Sequence, residues 1–194
     1  MVRKADSLHQ LRKWGFNVLP FVEVQAQAPG DMLRLLTESL GSLPWSIRSE
    51  MPSQEDGGNF PFYYGEQEPD RVVGICCTLL SGGYKVLASK TLDTTGCLAC
   101  GALAIPHDGE PYVEYGTGPH TIREVFAKGG LTKMVVSDRI HTAIEEDIVD
   151  HIFGRAFNLL PAGTTSKILE WSLYRQPVGE LHKRDIWWEV RPYK

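Results

Sequence analysis

Ile168-Leu169-Glu170-Trp171-Ser172-Leu173, a turn-rich connection from Tyr174 to Lys183, and then Ile186-Trp187-Trp188-Glu189-Val190-Arg191-Pro192 form the stretch that decides the fold. Both apolar runs read as strands. Strand side chains alternate between two faces, so Glu170 points away from Leu169, and Glu189 shares a face with Arg191. If the runs pair as a hairpin, two carboxylates and a guanidinium meet on one surface. Hard carboxylate oxygens are what Mg²⁺ takes from a protein, in ones or twos, while phosphate oxygens and water complete its octahedron. An arginine beside them suits phosphate. The same residues also fit a solvated hairpin on which acids and bases merely alternate. Without a cation between them, two carboxylates this close are expected to repel.

Glu-Trp, a short connection, and a hydrophobic strand ending in acid-Val-Arg-Pro resembles the end of the ATP-grasp nucleotide-binding domain of the pyruvate phosphate dikinase and phosphoenolpyruvate synthase family. The resemblance implies that Glu170 and Glu189 hold a metal ion and that Arg191 touches phosphate. Glu189 stands where that family usually carries glutamine. At the other end of the chain, Lys4 precedes a Leu-rich helix, a glycine and Val18-Leu19-Pro20-Phe21-Val22. This resembles the family opening and implies that Lys4 contacts ATP phosphate, although Arg3 replaces the family glycine. Pro44-Trp45-Ser46-Ile47-Arg48-Ser49 is similar to a family strand whose arginine reaches the transferred phosphate, which Arg48 matches. Glu55-Asp56 follow as they do in the family. Gly65 matches a glycine of the segment ending in Gly-Gln, and Gly96 the glycine after the adenine-facing strand. From Ser89 to Leu92 only the strand pattern is shared. Gly116 and Gly118 match a Gly-Leu-Gly-Glu turn, with Pro119 in place of its acid and Glu124 further on.

These matches keep the family order over essentially the whole chain. They imply an α+β, ATP-grasp-like fold of two lobes with antiparallel sheets and flanking helices, a single domain over 1–194 with lobes of about 1–80 and 81–194. The implied cofactors are ATP and Mg²⁺. Lys4, Arg48 and Arg191 are the expected catalytic cations, and with Gly65 and Gly96 they make the nucleotide-binding set. The implied activity is an ATP-dependent phosphotransferase acting on a small molecule or on a histidine of a separate partner protein. The family's swivelling histidine domain and pyruvate domain are absent from these 194 residues. Two alternatives share the fold: an ATP-grasp ligase that forms an acyl phosphate, and a non-catalytic nucleotide-binding regulatory module.

Local signals fill in the rest. Lys4 to Trp14 reads as a helix with Leu8 and Leu11 on one face and Gly15 as its stop. Phe16 to Val24 reads as a strand. Asp31 is expected to cap a second helix running to Leu40, with Leu33, Leu36 and Leu40 inward and Gly41 at its end. Asp56-Gly57-Gly58-Asn59 offers backbone N–H groups to an anion. Strands are expected over Tyr84–Leu92, Gly96–Ile105, Tyr112–Gly118 and Met134–Val136. Thr142 with Glu145 makes a capping box, and Ile144, Ile148 and Ile152 give the following helix one apolar stripe beneath the last two strands.

Composition agrees with a folded chain, since 42% hydrophobic content over 194 residues supports a core. Net charge is −4 with mixed signs, which argues against a dedicated nucleic-acid surface. No apolar run approaches a membrane span, and Met1-Val2-Arg3-Lys4-Ala5-Asp6 leads into no signal-peptide core, so a soluble, cytoplasmic protein is expected. Cys76-Cys77 and Cys97-Leu98-Ala99-Cys100 can in principle form a four-thiolate zinc site, and a C-x-x-C can also be a redox pair. Their apolar, strand-like surroundings favour small buried hydrophobes instead. The six histidines show no ligand spacing and are expected at surfaces or caps. Phosphate-loop, serine-hydrolase and zinc-protease motifs are absent from the sequence.

Overall fold

The computed structural model describes residues 3–50, 60–92, 94–117, 133–136, 143–174 and 184–193. Contacts divide the chain into two units, one comprising Leu19–Leu92 with Arg3, the other Lys4–Val18 and Asp93–Lys194. The first unit is a four-stranded antiparallel sheet in the order β1-β4-β2-β3, made of β1 (Phe21–Val24), β2 (Trp45–Glu50), β3 (Phe62–Glu66) and β4 (Lys85–Lys90). One face is covered by α2 (Pro29–Leu40) and α3 (Pro69–Ser81). Met32, Leu36 and Leu40 recur at four-residue steps on α2, and Val72, Cys76 and Leu79 at steps of four and three on α3, so each helix buries one stripe against Val24, Trp45, Ile47, Val86 and Ala88. Gly41 ends α2 at φ +71°, a conformation that suits glycine.

The second unit carries the deciding hairpin. Its five-stranded antiparallel sheet runs β7-β6-β5-β8-β9, from β5 (Cys97–Ile105), β6 (Tyr112–Thr117), β7 (Lys133–Val136), β8 (Lys167–Tyr174) and β9 (Arg184–Pro192). On one face Leu103, Val113, Tyr115, Leu169, Trp171, Trp187 and Val190 form one core with Ile148, Val149, Ile152 and Ala156 of α4 (Ala143–Leu159). Leu11 of α1 (Lys4–Lys13) and Phe16 join it, Phe16 lying edge-on to Trp187 at 4.7 Å. Helix α1 and the segment after it also satisfy the outer edge of β9: Ser7 Oγ accepts the Val190 N–H, and Asn17 O accepts that of Trp187 at 2.9 Å. An edge strand left bare would be a pairing hazard.

The two antiparallel sheets with flanking helices bear out the expected architecture, and four details differ. The contact division falls after Leu92 and not after residue 80, because β4 is hydrogen-bonded to both β1 and β2. The expected strand over Phe16–Val24 is confined to Phe21–Val24. Residues up to Val18 belong to the second unit, and Pro20 has no N–H to give a ladder. Ala28, not Asp31, is the N-cap of α2: Pro29 takes the first helical position, and Asp31 in the first turn accepts from Arg34 at 2.9 Å. Cys76 and Cys77 lie on α3 and not on a strand, since Pro69 starts a helix whose inward spacing then selects Val72, Cys76 and Leu79. Glu55, Asp56 and the glycine loop through Asn59, Gly118, Pro119, Glu124, Thr142 and the connection 175–183 lie outside the described residues, as do the side chains of Ile144 and Glu145. Among the described residues no helix is long and apolar enough to cross a membrane.

A buried charge cluster that the histidine spacing did not reveal fixes β9 to α4. Asp185 is 5% exposed; its Oδ2 accepts the Trp187 indole N–H at 2.7 Å, and His151 Nε2 and Arg155 Nε approach its carboxylate at 3.4 Å. His151 is therefore a half-buried tether and not a surface or capping residue. Burial by itself raises the Asp185 pKa, but hydrogen bonds from His151 and Trp187 and the charge of Arg155 outweigh it and hold the group at about 2, below its ordinary 3.8. The ionised carboxylate thus contributes about 2 kcal/mol of stability that is present above about pH 4 and lost as pH falls through about 2. Unfolding free energies from urea titrations at near-neutral and strongly acid pH should therefore fall further in the wild type than in Asp185→Asn. Equal pH dependence in the two proteins would refute the assignment.

Candidate nucleotide and metal site

The hairpin register places Glu170 opposite Glu189, and Ile168 opposite Arg191. A bulge between Glu170 and Trp171 inserts one extra residue in β9. Trp187 and Val190 can therefore both face the core while Glu189 turns to the other side. Directly opposed residues of an antiparallel pair share a face. Following the pairs across the sheet gives a rank of Glu114, Ala102, Glu170 and Glu189, and beside it a second rank of Tyr112, Ala104, Ile168 and Arg191. The face opposite the helix core is thus floored by the small side chains of β5 and bordered by carboxylates.

Each carboxylate of the hairpin meets a cation. Lys4 Nζ, on the first residue of α1, pairs with Glu189 Oε2, and Arg191 Nε lies 3.5 Å from Glu170 Oε1. The glutamate side chains are largely buried, 14% exposed for Glu189 and 16% for Glu170, against 37% for Lys4 and 43% for Arg191. The expected uncompensated repulsion is corrected here, because one cation from each flank already faces each acid. Tyr112 Oη lies 3.2 Å from Tyr193 Oη. That hydrogen bond, burial and the nearby Glu114 push the Tyr112 phenol up to about 12, so it stays protonated near neutrality.

Lys4, Glu170, Glu189 and Arg191 therefore come together in the second unit. Arg48 and Gly65 belong to the first. Arg48 stands opposite Phe62 and Leu87 on the sheet face away from the helices, its guanidinium 4.8 Å from the Phe62 ring centre. Gly65 has φ +70°, and its N–H points to Ser46 Oγ at 3.4 Å. Gly96 closes a 3₁₀ turn, Thr94–Gly96, before β5. Glu114 escaped the sequence reading: alternation with buried Val113 and Tyr115 shows that it faces outward, but only strand order reveals that it joins the rank of Glu170.

Two carboxylates side by side are a hard-oxygen donor pair of the size that suits Mg²⁺ with phosphate. Among the described residues no group of three or more His, Cys, Asp or Glu gathers as a metal cage.

No protein-family model and no curated protein matches the sequence. Solved structures do match the fold. An N5-carboxyaminoimidazole synthase from Aspergillus clavatus, in complex with ADP and 5-aminoimidazole ribonucleotide, is similar over 96% of this chain and 43% of its own, with TM-score 0.55 and 12% identity. D-alanyl-alanine synthetase A from Vibrio cholerae is similar over 98% and 54%, with TM-score 0.55 and 14% identity. A dinucleotide-forming acetyl-coenzyme A synthetase 1 from Ca. Korarchaeum cryptofilum, in complex with coenzyme A and Ca-AMPCP, is similar over 97% and 91%, with TM-score 0.55 and 11% identity. The chain has an ATP-grasp-like fold. It spans less than half the length of the first synthetases it matches.

Proposed function

We propose that this chain binds ATP with a divalent cation and activates a carboxylate as an acyl phosphate for attack by a second substrate, the chemistry of an ATP-grasp ligase. The observation that carries the reading is the opposed pair Glu170 and Glu189 with Lys4 and Arg191 on their carboxylates. Synthetases with the same fold, one of them bound to ADP, favour a ligase over the dikinase-type phosphotransferase. Glu170 and Glu189 would hold a divalent cation, which would supply neutralisation of phosphate oxygens. Lys4 and Arg191 add charge for the same oxygens, and Tyr112 presents a neutral hydroxyl on the adjoining rank. Catalysis of this kind is positioning plus electrostatic stabilisation, and needs no covalent chemistry from the protein.

The phosphotransferase reading, with a small molecule or a partner's histidine as acceptor, is kept by the Glu189-Val190-Arg191-Pro192 end of β9 and by its similarity to the dikinase pattern. Nucleotide products separate the readings. Acceptor-dependent ADP and phosphate formation supports the ligase, AMP with phosphate supports the dikinase type, and tight binding without turnover leaves a regulatory module.

A further inference from the structure

The C-x-x-C of β5 takes no part in the proposed nucleotide chemistry, yet its geometry is unusual for a strand. In a regular strand two residues three apart point to opposite faces with Cα atoms about 10 Å apart. Here a bulge falls between Cys97 and Ala99, so Cys97 stands opposite Tyr174 and Cys100 opposite Ser172. Tyr174 and Ser172 are two residues apart, so both cysteines share a face, and the residues opposite them have Cα atoms about 6.6 Å apart. That falls at the upper end of the roughly 4.4–6.8 Å that a disulfide spans. The Cys97 thiol donates to the Ala99 carbonyl at 3.5 Å, and all four cysteines of the chain are free. Cys100 is fully buried, while Cys97, 5% exposed at the start of the strand, keeps the accessible surface of the pair.

We propose that Cys97 and Cys100 are a reversible dithiol–disulfide couple set in the floor of the carboxylate face. Cys100 stands two residues before Ala102, the β5 member of the Glu114–Glu170–Glu189 rank, so closing the bridge reshapes the strand beside those acids. The control this exerts on nucleotide binding rests on the function proposed above; the couple itself does not. With a peroxide as oxidant, the Cys97 thiolate takes one oxygen to become a sulfenic acid and hydroxide leaves. The Cys100 thiol then attacks that sulfur, and water departs as the S–S bond forms. A dithiol reductant reverses the reaction by exchange.

The local chemistry separates this pair from the other. Hydrogen bonding to Cys100, helped by Ala99, lowers the Cys97 pKa and outweighs burial, which raises it, whereas burial pushes Cys76 up to about 12 and leaves it almost no thiolate. Cys97, with Cys100 on its own face of the strand, is thereby set apart from Cys76.

The test treats the intact chain with hydrogen peroxide, quenches it, and alkylates the remaining thiols in denaturant before mass analysis and non-reducing peptide mapping. The expected product is lighter by two hydrogens, carries alkyl groups on Cys76 and Cys77, and yields one Cys97–Cys100 bridge that dithiothreitol opens. Four free thiols, a bridge elsewhere, or stable sulfinic acid at Cys97 would overturn the couple. Thermal unfolding with and without Mg·ATP is then compared in the two forms. A shift that shrinks on oxidation supports the control, and equal shifts in both forms overturn it. No shift in either form condemns the nucleotide reading, while the couple still stands or falls by the map.

Discussion

Glu170→Gln is expected to lower metal-dependent turnover roughly 100-fold or more while leaving the fold in place. The amide keeps the size of the side chain and one carbonyl oxygen, but it removes the charge that pairs with a cation opposite Glu189. The lost ion pair with Arg191, 43% exposed and 3.5 Å away, itself contributes under about 1 kcal/mol. Glu189→Gln is the informative counterpart. It restores the residue that the dikinase family usually carries, so the variant should remain active, with at most an altered preference between Mg²⁺ and Mn²⁺. Steady-state turnover with each metal, alongside urea unfolding, reads both effects. Unchanged turnover in Glu170→Gln would reduce the hairpin to a structural feature.

Gly101→Ala is expected to cost at least ~3 kcal/mol or to prevent folding. Gly101 sits in the middle of the central strand β5, opposite Tyr115 on β6 and Trp171 on β8. The absence of a side chain lets those two rings approach to 6.3 Å between centroids. A Cβ built there lies 1.9 Å from Glu114 O and 2.7 Å from Tyr115 Cα. Both are backbone atoms of a paired strand, so no rotamer change relieves the clash, and β6 would have to move. Because Glu114 belongs to that strand, the carboxylate rank would move with it. Chemical denaturation measures the effect, and a variant as stable as the wild type would show that β5 and β6 do not pack this closely.

The hairpin was legible because period-two alternation over Ile168–Leu173 and Ile186–Pro192 fixes which side chains share a face. Its acids came out opposite one another for that reason. The bulge beside Trp171 was not legible, since Trp187 and Trp188 satisfy either register and pairing energy decides between them. Helix α1, the end of α2 at Gly41 and the buried pair Ile148 and Ile152 were carried by spacing and punctuation. Helix α3 was missed because Val72, Val73, Ile75 and the two cysteines look like strand until Pro69 is recognised as a helix start. Asp185 and Glu114 were invisible for a different reason. The partners of Asp185 lie about 30 residues away on α4, and the rank of Glu114 depends on strand order, which no local pattern encodes. Lys4 was placed by resemblance alone; its pairing with Glu189 supplies the physical reason for it to stand there.

Thermal unfolding of the reduced wild-type chain, with and without millimolar Mg·ATP, tests the central claim most directly. A ligand at about 100 times its dissociation constant that binds only the native state adds about 2.7 kcal/mol. For a domain of this size that raises the midpoint by about 5–10 °C. The account predicts a shift of that order with Mg·ATP, and a much smaller one for ATP with a chelator or for Glu170→Gln with Mg·ATP. An unshifted midpoint at millimolar Mg·ATP, or an equal shift in Glu170→Gln, would contradict the assignment of the Glu170–Glu189 face as the nucleotide and metal site.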